Sequence, residues 1–159
     1  MAKEPWEPPN DYAHPLPADP AAPCKAMTVR DVLGPTFPPI VCLCGSTRFM
    51  DAFFEAGWKE TLAGKIVLSV GVCKYADAGG AHGAEVLGPD TVQRLDDLHL
   101  RKIELADEVL VLNVGGYIGP STGNELAYAL ALGKPVRTLE ALDLEAWKKD
   151  RDAGLRREA

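Results

Sequence analysis

The stretch GPSTGNELAYALALGKP, residues 119–135, sets one carboxylate, Glu125, close to the start of an otherwise apolar helical run. Two kinds of chemistry suit that placement. In the first, Thr122 and Glu125 form a capping box, in which the carboxylate accepts a hydrogen bond from the amide of an N-cap Thr122. In the second, the surroundings serve a ligand. Gly115, Gly116, Gly119 and Gly123 let backbone approach it closely, and Ser121 and Thr122 offer hydroxyls. A helix N-terminus also favours an ionised carboxylate by ~0.3–1 kcal/mol. An oriented, ionised carboxylate is what a glycosyl-transfer nucleophile needs. It attacks the anomeric carbon of a sugar as an oxocarbenium ion develops, and a covalent intermediate results. The pattern alone leaves both readings open.

CGSTRF, residues 44–49, offers anion chemistry. A strand, then Gly45, then a helix beginning near Thr47 would leave first-turn N–H groups facing an anion, with Arg48 adding charge. The plainer alternative is an N-cap by Ser46 or Thr47, worth about 1 kcal/mol.

HLRKIELADE, residues 99–108, carries further titratable groups. Asp97 and Arg101 lie four apart, the spacing of an exposed helical ion pair worth ~0.3 kcal/mol. His99 flanks an apolar stripe and, in isolation, reads as a partly buried surface histidine rather than a catalytic one. Asp107 precedes a strand, where it either caps a chain reversal or faces the site. His82 and Glu85 resemble a fragment of a metal site, but two ligands at one spacing do not make one, and no metal is expected. Four cysteines, Cys24, Cys42, Cys44 and Cys73, form no CxxC pair. Cys42 and Cys44, two apart in a strand-like run, point to one face and read as small buried hydrophobes in a reducing cytoplasm.

These groups need a scaffold. Residues 1–39 are crowded with proline and show no periodicity, so an extended or disordered arm is expected, pinned by Trp6, Tyr12, Met27 and Val29. From residue 40 to 159 the pattern predicts one α/β domain. Strands are expected at 40–44, 65–72, 108–114 and 135–139, and helices at 48–64, 90–106, 122–133 and around 144–149. In the second helix Val92, Leu95, Leu98 and Ile103 are expected inward. The glycine-rich segment 73–88 is long enough to suggest function. Alternating strands and helices with short connections imply a parallel, doubly wound, Rossmann-like sheet with helices on both faces. Ligands then sit at the carboxyl ends of the strands, where the turns after 44, 72 and 114 converge.

The chain has 159 residues and a formal net charge of -6, enough length for one domain with a sizeable core. The acidic balance argues against a nucleic-acid polymer or an anionic membrane as partner. No apolar run reaches transmembrane length and the N-terminus shows no signal-peptide stretch, so a cytoplasmic location is expected.

IVCLCGSTRF, LADEVLVLNV and STGNELAYALALGKPV, in that order, resemble the nucleoside 2-deoxyribosyltransferase superfamily, which includes the nucleoside 5'-monophosphate N-glycosidases. The resemblance spans roughly residues 40–139. It implies cleavage of a base–sugar bond through a ribosyl–Glu125 intermediate, released to water or to an acceptor base. It also implies substrate binding by Gly45, Ser46 and Arg48, a homodimer or larger assembly, and no cofactor. Three positions depart from the family's pattern. His99 stands where an aspartate is common, and Cys42 where a tyrosine lies beside the nucleophile. Gly119 stands where transferases carry aspartate and monophosphate hydrolases carry serine. The substrate expected is a nucleoside or nucleoside 5'-monophosphate, with hydrolysis favoured over transfer because of Gly119. Ser121, Thr122, Gly119 and Asp107 are expected to help hold it, and His99 or Asp97 to serve acid/base roles. A nucleotide-binding sensor on the same fold, without turnover, is the alternative. The phosphoribohydrolases of the cytokinin-activating type fit less well, because GGYIGPSTGNE only approximates their glycine pattern.

Overall fold

A computed structural model describes residues 29–71 and 88–158. Cys24, Cys73, His82, Glu85 and most of the segment 73–88, singled out above, lie outside the described residues. Among those described, the elements are α1 (Val29–Leu33), β1 (Ile40–Gly45), a 3-10 turn (Thr47–Phe49), α2 (Met50–Leu62), β2 (Ile66–Leu68), α3 (Pro89–Leu105), β3 (Glu108–Leu112), a second 3-10 turn (Val114–Gly116), α4 (Pro120–Ala131), β4 (Val136–Thr138) and α5 (Leu144–Glu158). Of the arm expected over residues 1–39, residues 29–39 are described, and Val29–Leu33 form a helical turn rather than extended chain, with Val29 packed on the core. The other expected anchors, Trp6, Tyr12 and Met27, lie outside the described residues.

The strands form one four-stranded, all-parallel sheet in the order β2-β1-β3-β4. Such strands are covered on both faces and read as unbroken apolar runs, as IVCLC (40–44) and VLVL (109–112) do. Alternation then divides each strand between two cores. Val41, Leu43, Leu110 and Leu112 meet Phe53 and Ala56 of α2 on one face. Ile40, Cys42, Cys44, Val109 and Val111 meet Ile103, Leu126 and Ala129 of α3 and α4 on the other. The chain goes outward from β1 to β2 and returns past β1 to β3. The strand order thus reverses between β1 and β3, the switch point at which open α/β sheets bind ligands.

Two connections fix that switch point. Gly45 pairs with Leu112 in register, and a Cβ on Gly45 would lie 3.0 Å from that of Leu112 and 3.3 Å from the Phe53 ring. Only glycine lets β1, β3 and α2 close up there. At the opposite, amino edge the Asp107 carboxylate accepts the Ile40 N–H at 2.7 Å. Asp107 thus starts β1 rather than facing the ligand edge, which corrects the expectation that it binds substrate. On the α2 face Lys65 and Arg137 each pair with both Glu60 and Glu108, an ion-pair group that joins α2, the start of β2, β3 and β4. No helix among the described residues is long and apolar enough to cross a membrane.

Candidate active site

The helix that carries Glu125 begins two residues earlier than its sequence suggests. Pro120 occupies the first helical position, where its fixed φ is already helical and its missing N–H costs nothing. Gly119 becomes the N-cap, with no side-chain cap bond, and the first turn closes by the Gly123 amide donating to the Gly119 carbonyl at 2.8 Å. Thr122 is a buried third residue and does not cap. Glu125 is the sixth residue, beyond reach of the N-cap amide. The capping box is therefore absent. Glu125 instead turns into the interior, 6% exposed.

It meets His99 there. Leu95 and Leu98, expected inward, are about half exposed, and the buried row of α3 is His99 with Ile103, one turn apart. The stripe is rotated because α3 packs across both β1 and α4, and His99 fills the place nearest Cys42 and Cys44. His99 Nε2 lies 3.8 Å from Cys42 Sγ, 3.5 Å from Cys44 Sγ and 3.9 Å from Glu125 Oε1. Three heteroatoms thus converge on one nitrogen. His99 Nδ1 and Glu125 Oε2 are buried and have no hydrogen-bond partner among the described residues. A Cys–His–Glu relay would set thiol and carboxylate on different ring nitrogens, so this arrangement is not such a triad.

Burial and mutual charge set the protonation of the group. Burial pushes the Glu125 carboxyl up to about 7, against the opposing pull of His99. The Cys44 thiol, hydrogen-bonded to Cys42, draws the Cys42 thiol down to about 6 despite burial, and His99 adds to that pull. Cys44 goes the other way, pushed well up by the same bond and by burial. Burial would lower the His99 pKa, but the hydrogen bond and charge of Cys42 and the charge of Glu125 outweigh it and raise it. The four groups form one proton-sharing cluster.

The remaining expected residues fall into two sets. Gly45, Ser46, Arg48, Gly119, Ser121 and Thr122 all lie at the carboxyl edge of β1 and β3 or on the first turn of α4. Ser46 precedes a three-residue 3-10 turn and makes no cap bond, which removes the capping alternative at CGSTRF and shortens the expected helix start. The Arg48 guanidinium stacks over the Tyr117 ring, 4.8 Å from its centroid, and Phe49 meets the same ring edge-on at 6.0 Å. A Cβ on Gly119 would lie 2.9 Å from the Tyr117 hydroxyl, so Tyr117 fills the space that a larger side chain at 119 would take. Asp97 is not part of the site. It is exposed and accepts a hydrogen bond from Gln93 at 3.0 Å, and its expected partner Arg101 pairs with Glu104 instead. Its neighbour Asp96 faces α4, with the Ser121 hydroxyl 3.3 Å away, and its charge helps to raise the Glu125 carboxyl.

Sequence reasoning missed Asp96, Cys44 and Tyr117. Cys44 and His99 are 55 residues apart, and only the β1–α3 crossover brings them together. The available signal was the shared face of Cys42 and Cys44, which a polar partner packed on that face turns from packing into chemistry. An open apolar groove of about 380 Å³, lined by Phe53, Trp58, Val67 and Val70 among others, lies on the opposite, α2 face and touches none of these groups. No protein-family model and no curated protein matches the chain.

Proposed function

We propose that this chain is an N-glycosidase of nucleosides or nucleoside 5'-monophosphates, with Glu125 as covalent nucleophile and His99 as proton donor to the departing base. The observation that carries this reading is a buried carboxylate that serves no cap, with one oxygen unpartnered among the described residues, at the carboxyl edge of the sheet's switch point. A Glu125 oxygen bonds to the anomeric carbon as the C–N bond breaks, and the base leaves with the proton from His99. Water then cleaves the glycosyl ester, gives its proton back to His99 and frees Glu125. A protonated His99 at 3.9 Å offsets the burial that otherwise favours neutral Glu125. Arg48 on Tyr117, with Ser46 and Ser121, supplies charge and hydroxyls for the sugar or its phosphate. Hydrolysis is favoured over transfer because position 119 bears no side chain that could bind an acceptor. A homodimer, a cytoplasmic location and the absence of a nucleic-acid polymer as partner belong to the same proposal.

A second reading, a nucleotide-binding module without turnover, is favoured by one observation: Glu125 Oε2 is closed to solvent. Base release decides between the two. Wild type and Glu125→Gln are incubated with a panel of nucleosides and 5'-monophosphates, with and without acceptor base, and free base is separated by chromatography. The glycosidase reading expects free base from wild type, independent of acceptor, and none from the variant. Nucleotide binding without release from any substrate is the result of a binding module.

A further inference from the structure

We propose that Cys42, Cys44 and His99 form a binding site for a thiophilic divalent cation of the zinc class, with Glu125 at the fourth position. This inference does not rest on the glycosidase reading, and because an ion there occupies both His99 and Glu125, the metal-loaded chain is a state without glycosidase turnover. The Sγ atoms of Cys42 and Cys44 and a ring nitrogen of His99 all lie within 4.8 Å of one another, and all three residues are buried. Zinc binds thiolate sulfur at about 2.3 Å and imidazole nitrogen at about 2.0–2.1 Å, so a tetrahedral site separates S from N by about 3.6 Å. The two separations here are 3.5 and 3.8 Å. Glu125 Oε1, 3.9 Å from the same nitrogen, stands about half an ångström beyond the tetrahedral N···O distance, a shift within reach of a glutamate side chain.

Hydrogen bonding alone leaves this cluster under-satisfied. Nε2 carries either one proton or one in-plane lone pair, so it can serve only one of its three neighbours at a time. A cation in their midst is met by all of them together. It also gives a charge partner to the second, independent feature of the site, a carboxylate 94% buried with an unpartnered oxygen. The ligand chemistry is selective. Two thiolates and an imidazole suit zinc and other soft or borderline ions, whereas magnesium and calcium call for an all-oxygen set. On binding, the thiols release their protons to water and the imidazole binds through Nε2, with its remaining proton on Nδ1. The site went unnoticed in the sequence because Cys-x-Cys lacks a second cysteine pair, and its third ligand comes from another element.

The test uses the reduced full chain. Zn²⁺ affinity is measured by competition with a chromophoric chelator, and Co²⁺ serves as the spectroscopic reporter. The expected result is one ion per chain, with tetrahedral cobalt absorption and an ultraviolet thiolate-to-cobalt band. Cys44→Ser and His99→Gln should each weaken zinc by about 100-fold or more. Asp97→Asn, on the solvent side of the same helix, should bind as wild type does. A Cys24→Ser/Cys73→Ser double variant should also keep both affinity and band, which assigns the thiolates to β1. Should Cys44→Ser fail to fold, the cobalt spectrum of wild type and of the double variant still decides. An octahedral spectrum without the thiolate band, binding lost in the double variant, or no binding at all would overturn the proposal.

Discussion

Glu125 and His99 matter as a pair. A glutamate turned inward from the second turn of a helix exacts a desolvation cost, and no cap or ladder bond repays it. The partner chosen for it is a histidine, whose proton is exchangeable near neutral pH, and not a lysine or arginine, whose charge is fixed. That choice suits proton transfer better than packing, and it separates the roles of the two groups. In the proposed reaction Glu125 makes the bond to carbon, whereas His99 gives the leaving base its proton and recovers one from water. A base that is already cationic while attached to the sugar, such as an N7-methylated purine, leaves neutral and has no need of that proton. His99→Gln should therefore lower base release from ordinary nucleosides by about 10²-fold or more and from N7-methylpurine nucleosides far less. Glu125→Gln should lose both. Chromatographic rates on the two substrate types check this, and an equal loss in His99→Gln on both would remove the proton-donor role.

At the scale of elements, the sheet has two edges with different tasks. The carboxyl edge carries Gly45, the aromatic lip of Tyr117 and the start of α4. The amino edge and the α2 face carry structure: Asp107 on the first amide of β1, and Glu60, Lys65, Glu108 and Arg137 binding α2 to three strands. Lys134, nearly buried, donates to the Glu104 and Ala106 carbonyls and closes the C-terminus of α3. Burial alone would raise the Glu60 and Glu108 carboxyls, but their bonds to Lys65 and Arg137 outweigh it and hold both below the ordinary value. A carboxyl that titrates lower folded than unfolded stabilises above the unfolded value, and that contribution drains away as pH falls through the folded one. The share of stability contributed by Glu108 should therefore persist from neutral pH down to about pH 5 and drain away below it, so that Glu108→Gln loses less than wild type in thermal melts over the acid range. A variant that loses as much as wild type would show that the acid sensitivity lies elsewhere.

At the scale of the whole molecule, the doubly wound plan was legible because its signals are local. IVCLC and VLVL are continuous apolar runs of strand length, and α2, α3 and α4 repeat their apolar residues at helical spacing. What was misplaced followed from rules that compete. Thr122 looked like an N-cap, but Pro120 started α4 first and carried Glu125 past capping range. Leu95 and Leu98 looked like the inner stripe of α3, but the packing against β1 and α4 chose His99 and Ile103, and so put Asp96 rather than Asp97 toward α4. The cluster of Cys42, Cys44, His99 and Glu125 was legible only as separate residues, since three elements and a strand crossing bring it together. The most direct measurement of what that cluster does is to look for the bond itself. The chain, freed of metal by chelator, is mixed with a nucleotide that releases base, quenched in acid and digested, and its peptides are weighed. A Glu125 nucleophile predicts that the peptide spanning residue 125 gains the mass of the anhydro sugar phosphate, and that Glu125→Gln does not. Base release with that peptide unmodified at every quench time would contradict it.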